Sequence, residues 1–104
     1  MFALRARPLY RDADASVDTD GVAFQVYADA DHPTKVHQVV VETDARIFVG
    51  VGRSQTPPAP TTQNTVYQPT GERVYTLDGN DAEERWLYIY AVTDTAEVFV
   101  SRFG

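Results

Sequence analysis

The chain has 104 residues, nine basic and fifteen acidic side chains, a formal charge of −6 and no cysteine. One domain with one core fits that length, while a disulfide framework, a thiolate metal site, an iron–sulfur cluster and a cysteine nucleophile are all excluded. The acidic balance argues against nucleic acid, whose phosphates need clustered cationic side chains. No apolar stretch approaches the roughly 20 residues that span a bilayer, and Arg5 and Arg7 interrupt the opening Met1-Phe2-Ala3-Leu4 as a signal peptide.

Fourteen valines, eleven threonines and two isoleucines against four leucines and one lysine favour sheet over helix, because β-branched side chains lose rotamer freedom on a helix and pack well on a pleated surface. In chain order, residues 2–9 alternate Phe2, Leu4 and Ala6 with Arg5 and Arg7 before Pro8, as an edge strand or extended arm does. Residues 11–20 carry four aspartates and no repeating apolar face, and are expected to be a solvated loop. Val22, Phe24, Val26 and Ala28 share one face at period two, which predicts a half-buried strand over 22–28. A turn at 29–34 leads to a strand over 36–43, and Asp44-Ala45 is expected to close a tight hairpin into a strand over 46–52. Residues 53–63 hold Pro57, Pro58 and Pro60 and are expected to form a loop or projecting arm. Short strands over 65–68 and 72–77 flank the turn signal Pro69-Thr70-Gly71. One helical turn is expected at 81–85, with Asp81 as its N-cap. The strand over 85–93 puts Trp86, Tyr88, Tyr90 and Val92 on one face and Leu87, Ile89 and Ala91 on the other. Asp94-Thr95 turns it into a last strand over 96–103. Seven or eight short strands without crossover helices predict a single all-β domain over 1–104, an antiparallel sandwich or barrel of jelly-roll or immunoglobulin-like type with an extended N-terminal segment.

No catalytic constellation assembles. Ser16-x-Asp18-x-Asp20-Gly21 matches the start of a calcium loop, but Tyr27 stands where the bidentate glutamate belongs. Asp18 and Asp20, with Asp29 and Asp31 as extra ligands, therefore offer only a weak calcium possibility. His32 and His37 lack a third ligand. Ser16, Ser54 and Ser101 lack a nucleophile elbow. Gly50-Val51-Gly52-Arg53 lacks the third glycine and the helix of a dinucleotide fingerprint. Glu83 and Glu84 are sequence neighbours rather than a facing pair. The Trp86, Tyr88, Tyr90 stripe has the spacing of a platform for sugar rings, but core or interface packing explains the same spacing and is the first expectation. Arginine outnumbers lysine eight to one, as suits protein interfaces and also a GC-rich coding bias. The negative charge is local: residues 12–31 hold six acidic side chains and no basic one.

The succession of Arg46-Ile47-Phe48-Val49-Gly50-Val51-Gly52, a Thr/Pro/Gln-rich loop, Thr65-Val66-Tyr67-Gln68-Pro69-Thr70-Gly71 and the terminal Trp86-Leu87-Tyr88-Ile89-Tyr90 hairpin resembles small virion proteins of tailed bacteriophages, the head decoration or cement proteins. The resemblance covers residues 46–104 and implies a non-enzymatic, cofactor-free β-sandwich located in the virion. It further implies a trimer that grips the major capsid protein or another virion protein through extended segments. The matching segments are the N-terminal arm, with Phe2, Leu4, Arg5 and Arg7, and the proline loop, with Arg53, Pro57 and Pro58. The alternative expectation is a carbohydrate-binding module that uses Trp86, Tyr88 and Tyr90.

Overall fold

A computed structural model describes residues 8–11, 15–26, 38–76 and 85–103. Among them are nine strands: β1 (Pro8–Arg11), β2 (Ala15–Asp18), β3 (Val22–Gln25), β4 (Gln38–Thr43), β5 (Ile47–Gly52), β6 (Val66–Gln68), β7 (Gly71–Thr76), β8 (Trp86–Ala91) and β9 (Thr95–Phe103). β1 and β2 lie end to end along one edge of β9, Arg11 opposite Ser101 and Ala15 opposite Val98. Four pairs are nested, β2 with β9, β3 with β8, β4 with β7 and β5 with β6, and β4–β9 and β5–β8 join them into two sheets, all antiparallel. A chain that folds as one long hairpin and then rolls up gives this pattern. The resulting sheets, five-stranded (β1 and β2 beside β9, then β4, then β7) and four-stranded (β3-β8-β5-β6), have the strand order of a jelly roll rather than of an immunoglobulin domain. They face each other as an open sandwich and do not close into a barrel.

Alternation explains the core. On β9, Ala96, Val98 and Val100 point inward, as do Val39 and Val41 on β4, Ile47 and Val49 on β5, and Leu87, Ile89 and Ala91 on β8. Val17, Val26, Val39, Val41, Ile47, Leu87, Ile89, Val98 and Val100 are 2 % exposed or less, each contributing about 1.5–3 kcal/mol of burial. Buried polar side chains at the margin reach across the gap between the sheets. Gln68 donates through Nε2 to the Val41 carbonyl (2.9 Å) and accepts from the Tyr75 hydroxyl (2.7 Å), and Arg102 donates to the Gln25 carbonyl (2.8 Å).

Two expectations need correction. Residues 11–20 are not a plain solvated loop, since Ala15–Asp18 is strand β2 and Val17 is fully buried. Ala15 and Val17 do alternate, but the stretch is too short and too rich in aspartate to display a period. The connections at 44–46 and 92–94 are tight turns, yet neither closes a hairpin, because each carries the chain from one sheet to the other. Backbone bonds to distant strands fix these corners: Asp44 N–H to the Glu97 carbonyl and Val92 N–H to the Arg46 carbonyl, both 3.1 Å. Thr43 Oγ1 closes its turn by donating to the Ala45 carbonyl (2.7 Å), and Asp94 adopts φ 52°, a left-handed conformation aspartate tolerates.

The register puts all the short connections, at 19–21, 44–46, 69–70 and 92–94, at one end of the sandwich. At the other end lie the strand ends at Gln25, Gln38, Gly52, Thr76 and Trp86, and there β1 begins beside Phe103. The expected helical turn at 81–85 falls largely outside the described residues, as do Ala28, the turn at 29–34 and the N-terminal residues 1–7.

Candidate functional site

The outer face of the four-stranded sheet is built from unequal neighbours. Register sets Tyr90 beside Phe48, Tyr88 between Gly50 and Ala23, and Trp86 between Gly52 and Gln25. Tyr88 is thus flanked on both sides by residues with little or no side chain, and Trp86 on its β5 side. Into that relief the proline-containing segment 53–65 folds back as a strap. The Tyr90 hydroxyl donates to the Pro58 carbonyl (2.8 Å) and the Tyr88 hydroxyl to the Ser54 carbonyl. The glycines make room for it: a Cβ on Gly50 would lie 2.8 Å from the Asn64 carbonyl oxygen, and one on Gly52 2.7 Å from the Tyr88 hydroxyl.

The strap is also tied to itself. Asn64 is its pivot, accepting through Oδ1 from the Thr61 N–H (2.7 Å) and donating through Nδ2 to the Ala59 carbonyl (3.2 Å). Thr65 Oγ1 donates to the Thr61 carbonyl (2.6 Å) and Thr56 N–H to Ser54 Oγ (3.1 Å). Proline cannot donate to a strand ladder, so a segment with three of them covers a sheet face without extending the sheet. A hollow of about 210 Å³ remains between Phe48 and Pro60, Thr61, Thr62 and Thr65. Burial raises the Tyr90 hydroxyl above its ordinary pKa, with the neighbouring Tyr88 adding to the effect. Burial also raises Tyr75, against an opposing influence of Arg73.

This arrangement changes two sequence expectations. Residues 53–63 do not project as an arm; they lie on their own sheet, with Arg53 and Pro58 exposed and Pro57 partly covered. Tyr88 and Tyr90 are 3 % and 1 % exposed, so only Trp86 of the proposed aromatic platform keeps appreciable access and no open sugar platform exists on this face. The signal was present in sequence as Gly50 and Gly52, spaced to match the rings they accommodate, but recognising it required the β5–β8 register.

Of the other sequence candidates, Asp18 is occupied within the β2–β3 turn, its Oδ1 accepting from the Asp20 and Gly21 N–H groups at 2.9 and 3.2 Å. Among the described residues, no three acidic or histidine side chains gather as a metal site. Phe2, Leu4, Arg5, Arg7, Asp29, Asp31, His32, His37, Glu83 and Glu84 lie outside the described residues.

A second feature was not anticipated. The free edge strands β6 and β7 expose Val66 (52 %), Tyr67 (46 %) and Val74 (52 %), and Val51 (50 %) is exposed at the end of β5; Tyr67, opposite Phe48, belongs to the outer face of the four-stranded sheet and Val74, opposite Val40, to that of the five-stranded sheet. Beside these edges a hollow of about 290 Å³ opens between the sheets, with Val49 and Leu87 at its floor and Tyr75 and Asn64 among its walls. Arg73 bridges the two edges by donating to the Tyr67 carbonyl (2.9 Å). No known protein-family model matches the chain, and no curated protein or solved structure is significantly similar to it.

Proposed function

We propose that the protein is a non-enzymatic structural component of a virion, a capsid decoration or cement protein of a tailed phage, that works through protein–protein contacts. The observation that carries the reading is the exposed apolar flank of Val51, Val66, Tyr67 and Val74. Large exposed apolar side chains on and beside free edge strands favour protein contacts, and free strand edges accept a partner's extended chain. The strap supports the same reading, because it closes the sheet face that a glycan would need.

In this proposal the N-terminal residues Phe2, Leu4, Arg5 and Arg7, the exposed strap residues Arg53, Pro57 and Pro58, and the β6–β7 flank meet the major capsid protein or another virion protein. Copies act as an oligomer, with a trimer favoured. Co-sedimentation with heads of the cognate phage tests it. Deleting residues 1–7, which leaves strand β1 in place, or combining Val66→Asp with Val74→Asp, should abolish attachment while circular dichroism shows an intact sheet. Full occupancy of heads by both variants would overturn the proposal.

A further inference from the structure

The five-stranded sheet ends in an unfinished edge. Among the described residues β7 pairs with β4 alone, and five of its six residues, all but Tyr75, are exposed. On an antiparallel ladder every second residue turns its N–H and C=O away from the partner strand, so this edge presents a row of outward backbone groups. The facing edge strand, β6, is half as long and covers only residues 47–49 of β5. Where β6 stops short, the hollow of about 290 Å³ opens between the sheets beside Tyr75 and Thr76, with Val49 and Leu87 at its floor. Toward Gly71 the gap is shut, because Arg73 donates across it to the Tyr67 carbonyl (2.9 Å). The sandwich lacks cover at one place only along this edge, and that place is apolar within.

The two faces of β7 define what would complete it. Glu72, Val74 and Thr76 belong to the outer face, with Glu72 opposite Glu42 and Val74 opposite Val40. Arg73 and Tyr75 face the other sheet, where they bond to Tyr67 and Gln68. A strand laid beside β7 therefore meets, on its outer side, an exposed valine and a carboxylate already repelled by Glu42. On its inner side, the residue opposite Tyr75 stands over the apolar hollow. This calls for a basic residue opposite Glu72, a β-branched one opposite Val74 and a leucine-sized one opposite Tyr75. A second copy's β7 does not supply them. Symmetrical pairing centred on Glu72 or Arg73 sets like charges opposite each other. Centred on Val74, it turns an arginine over the hollow, where a charge is costly; centred on Tyr75, it crowds two rings at the mouth. We propose that an extended segment of another protein, carrying that pattern, adds antiparallel to β7 as a sixth strand and places its leucine-sized side chain in the hollow.

This rests on the reading of the flank as a protein contact and names the kind of segment it accepts. NMR titration of the isotope-labelled full chain with a capped peptide, Thr-Leu-Val-Ser-Lys, tests it without any particle. In the antiparallel register the peptide's lysine lies opposite Glu72 and its leucine opposite Tyr75. Binding should slow amide exchange at every second residue of β7 and shift the methyl signals of Val49 and Leu87. Glutamate in place of the peptide's lysine, or aspartate in place of its leucine, should weaken binding about tenfold or more. Glu72→Lys should weaken binding of the parent peptide and restore that of the glutamate peptide, while circular dichroism shows the variant folded. No protection along β7, unchanged affinity for the substituted peptides, or a Glu72→Lys variant that keeps the native preference would each overturn the proposal. Amides of β7 already protected by self-association of the native chain would make a second copy the occupant and overturn it as well. Head attachment is read in a separate assay. Peptide binding at β7 without attachment would sink the virion reading alone, and attachment without peptide binding would sink the strand addition alone.

Discussion

The two outer faces of this sandwich solve the same problem in different ways. On the four-stranded sheet, glycines beside Tyr88 and Tyr90 leave a depression that the strap at 53–65 fills, and two tyrosine hydroxyls pin it there. On the five-stranded sheet, Val40, Val74, Phe99 and Phe103 stand among Glu42, Glu72 and Glu97. The first face is satisfied within the chain, and its residues are chosen for folding. The second carries Glu42 directly opposite Glu72, a like-charge pair that weakens the β4–β7 ladder.

Substitutions can break this contrast, and the largest effect should be on the strapped face. Tyr90→Ala removes a buried ring together with the bond that holds the strap at Pro58, and should cost about 3 kcal/mol in urea unfolding. Gly50→Val drives a side chain against the Asn64 backbone, which cannot retreat like a flexible side chain. It should cost about 1–3 kcal/mol and expose Tyr88 to solvent quenchers. Tyr90→Phe keeps the ring and removes only the hydrogen bond to Pro58, an expected loss of about 1 kcal/mol.

The pH dependence follows the same face. The folded pKa of Tyr90 is raised by burial, so the neutral phenol is the form the fold favours. Its contribution is fully present below the ordinary tyrosine pKa of about 10 and disappears as pH rises through the higher folded value. Unfolding midpoints of the native chain should therefore fall in that alkaline window by more than those of Tyr90→Phe. An equal loss in both would remove Tyr90 from the account. The smallest effect is reserved for the open face. Glu72→Gln should be neutral or stabilise the monomer by about 0.2–1 kcal/mol, because it relieves the repulsion from Glu42, and a clear destabilisation would show that the pair serves folding after all.

Much of the fold was legible because alternation survives wherever a strand is long enough to show it. β8 and β9 were readable from Leu87, Ile89, Val98 and Val100, and β5 from Ile47 and Val49. β2 was not, since one buried valine among aspartates carries no period. Sheet membership was hidden for a different reason. A hairpin and a sheet-to-sheet crossing need the same polar turn between the same alternating flanks, and only the distant partners of Asp44 and Val92 distinguish them. The proline segment was recognised as irregular from Pro57, Pro58 and Pro60. Its destination depended on Gly50 and Gly52 meeting Tyr88 across a register that one sequence does not display. The apolar flank of Val66 and Val74 escaped notice because each valine reads like any other strand residue until its strand proves to be an edge.

Hydroxyl-radical footprinting of the native protein tests the strapped face most directly. Tyr88 and Tyr90, 3 % and 1 % exposed, should be oxidised much more slowly than Tyr67, which is 46 % exposed. Tyr88 and Tyr90 reacting as fast as Tyr67 would contradict the strap.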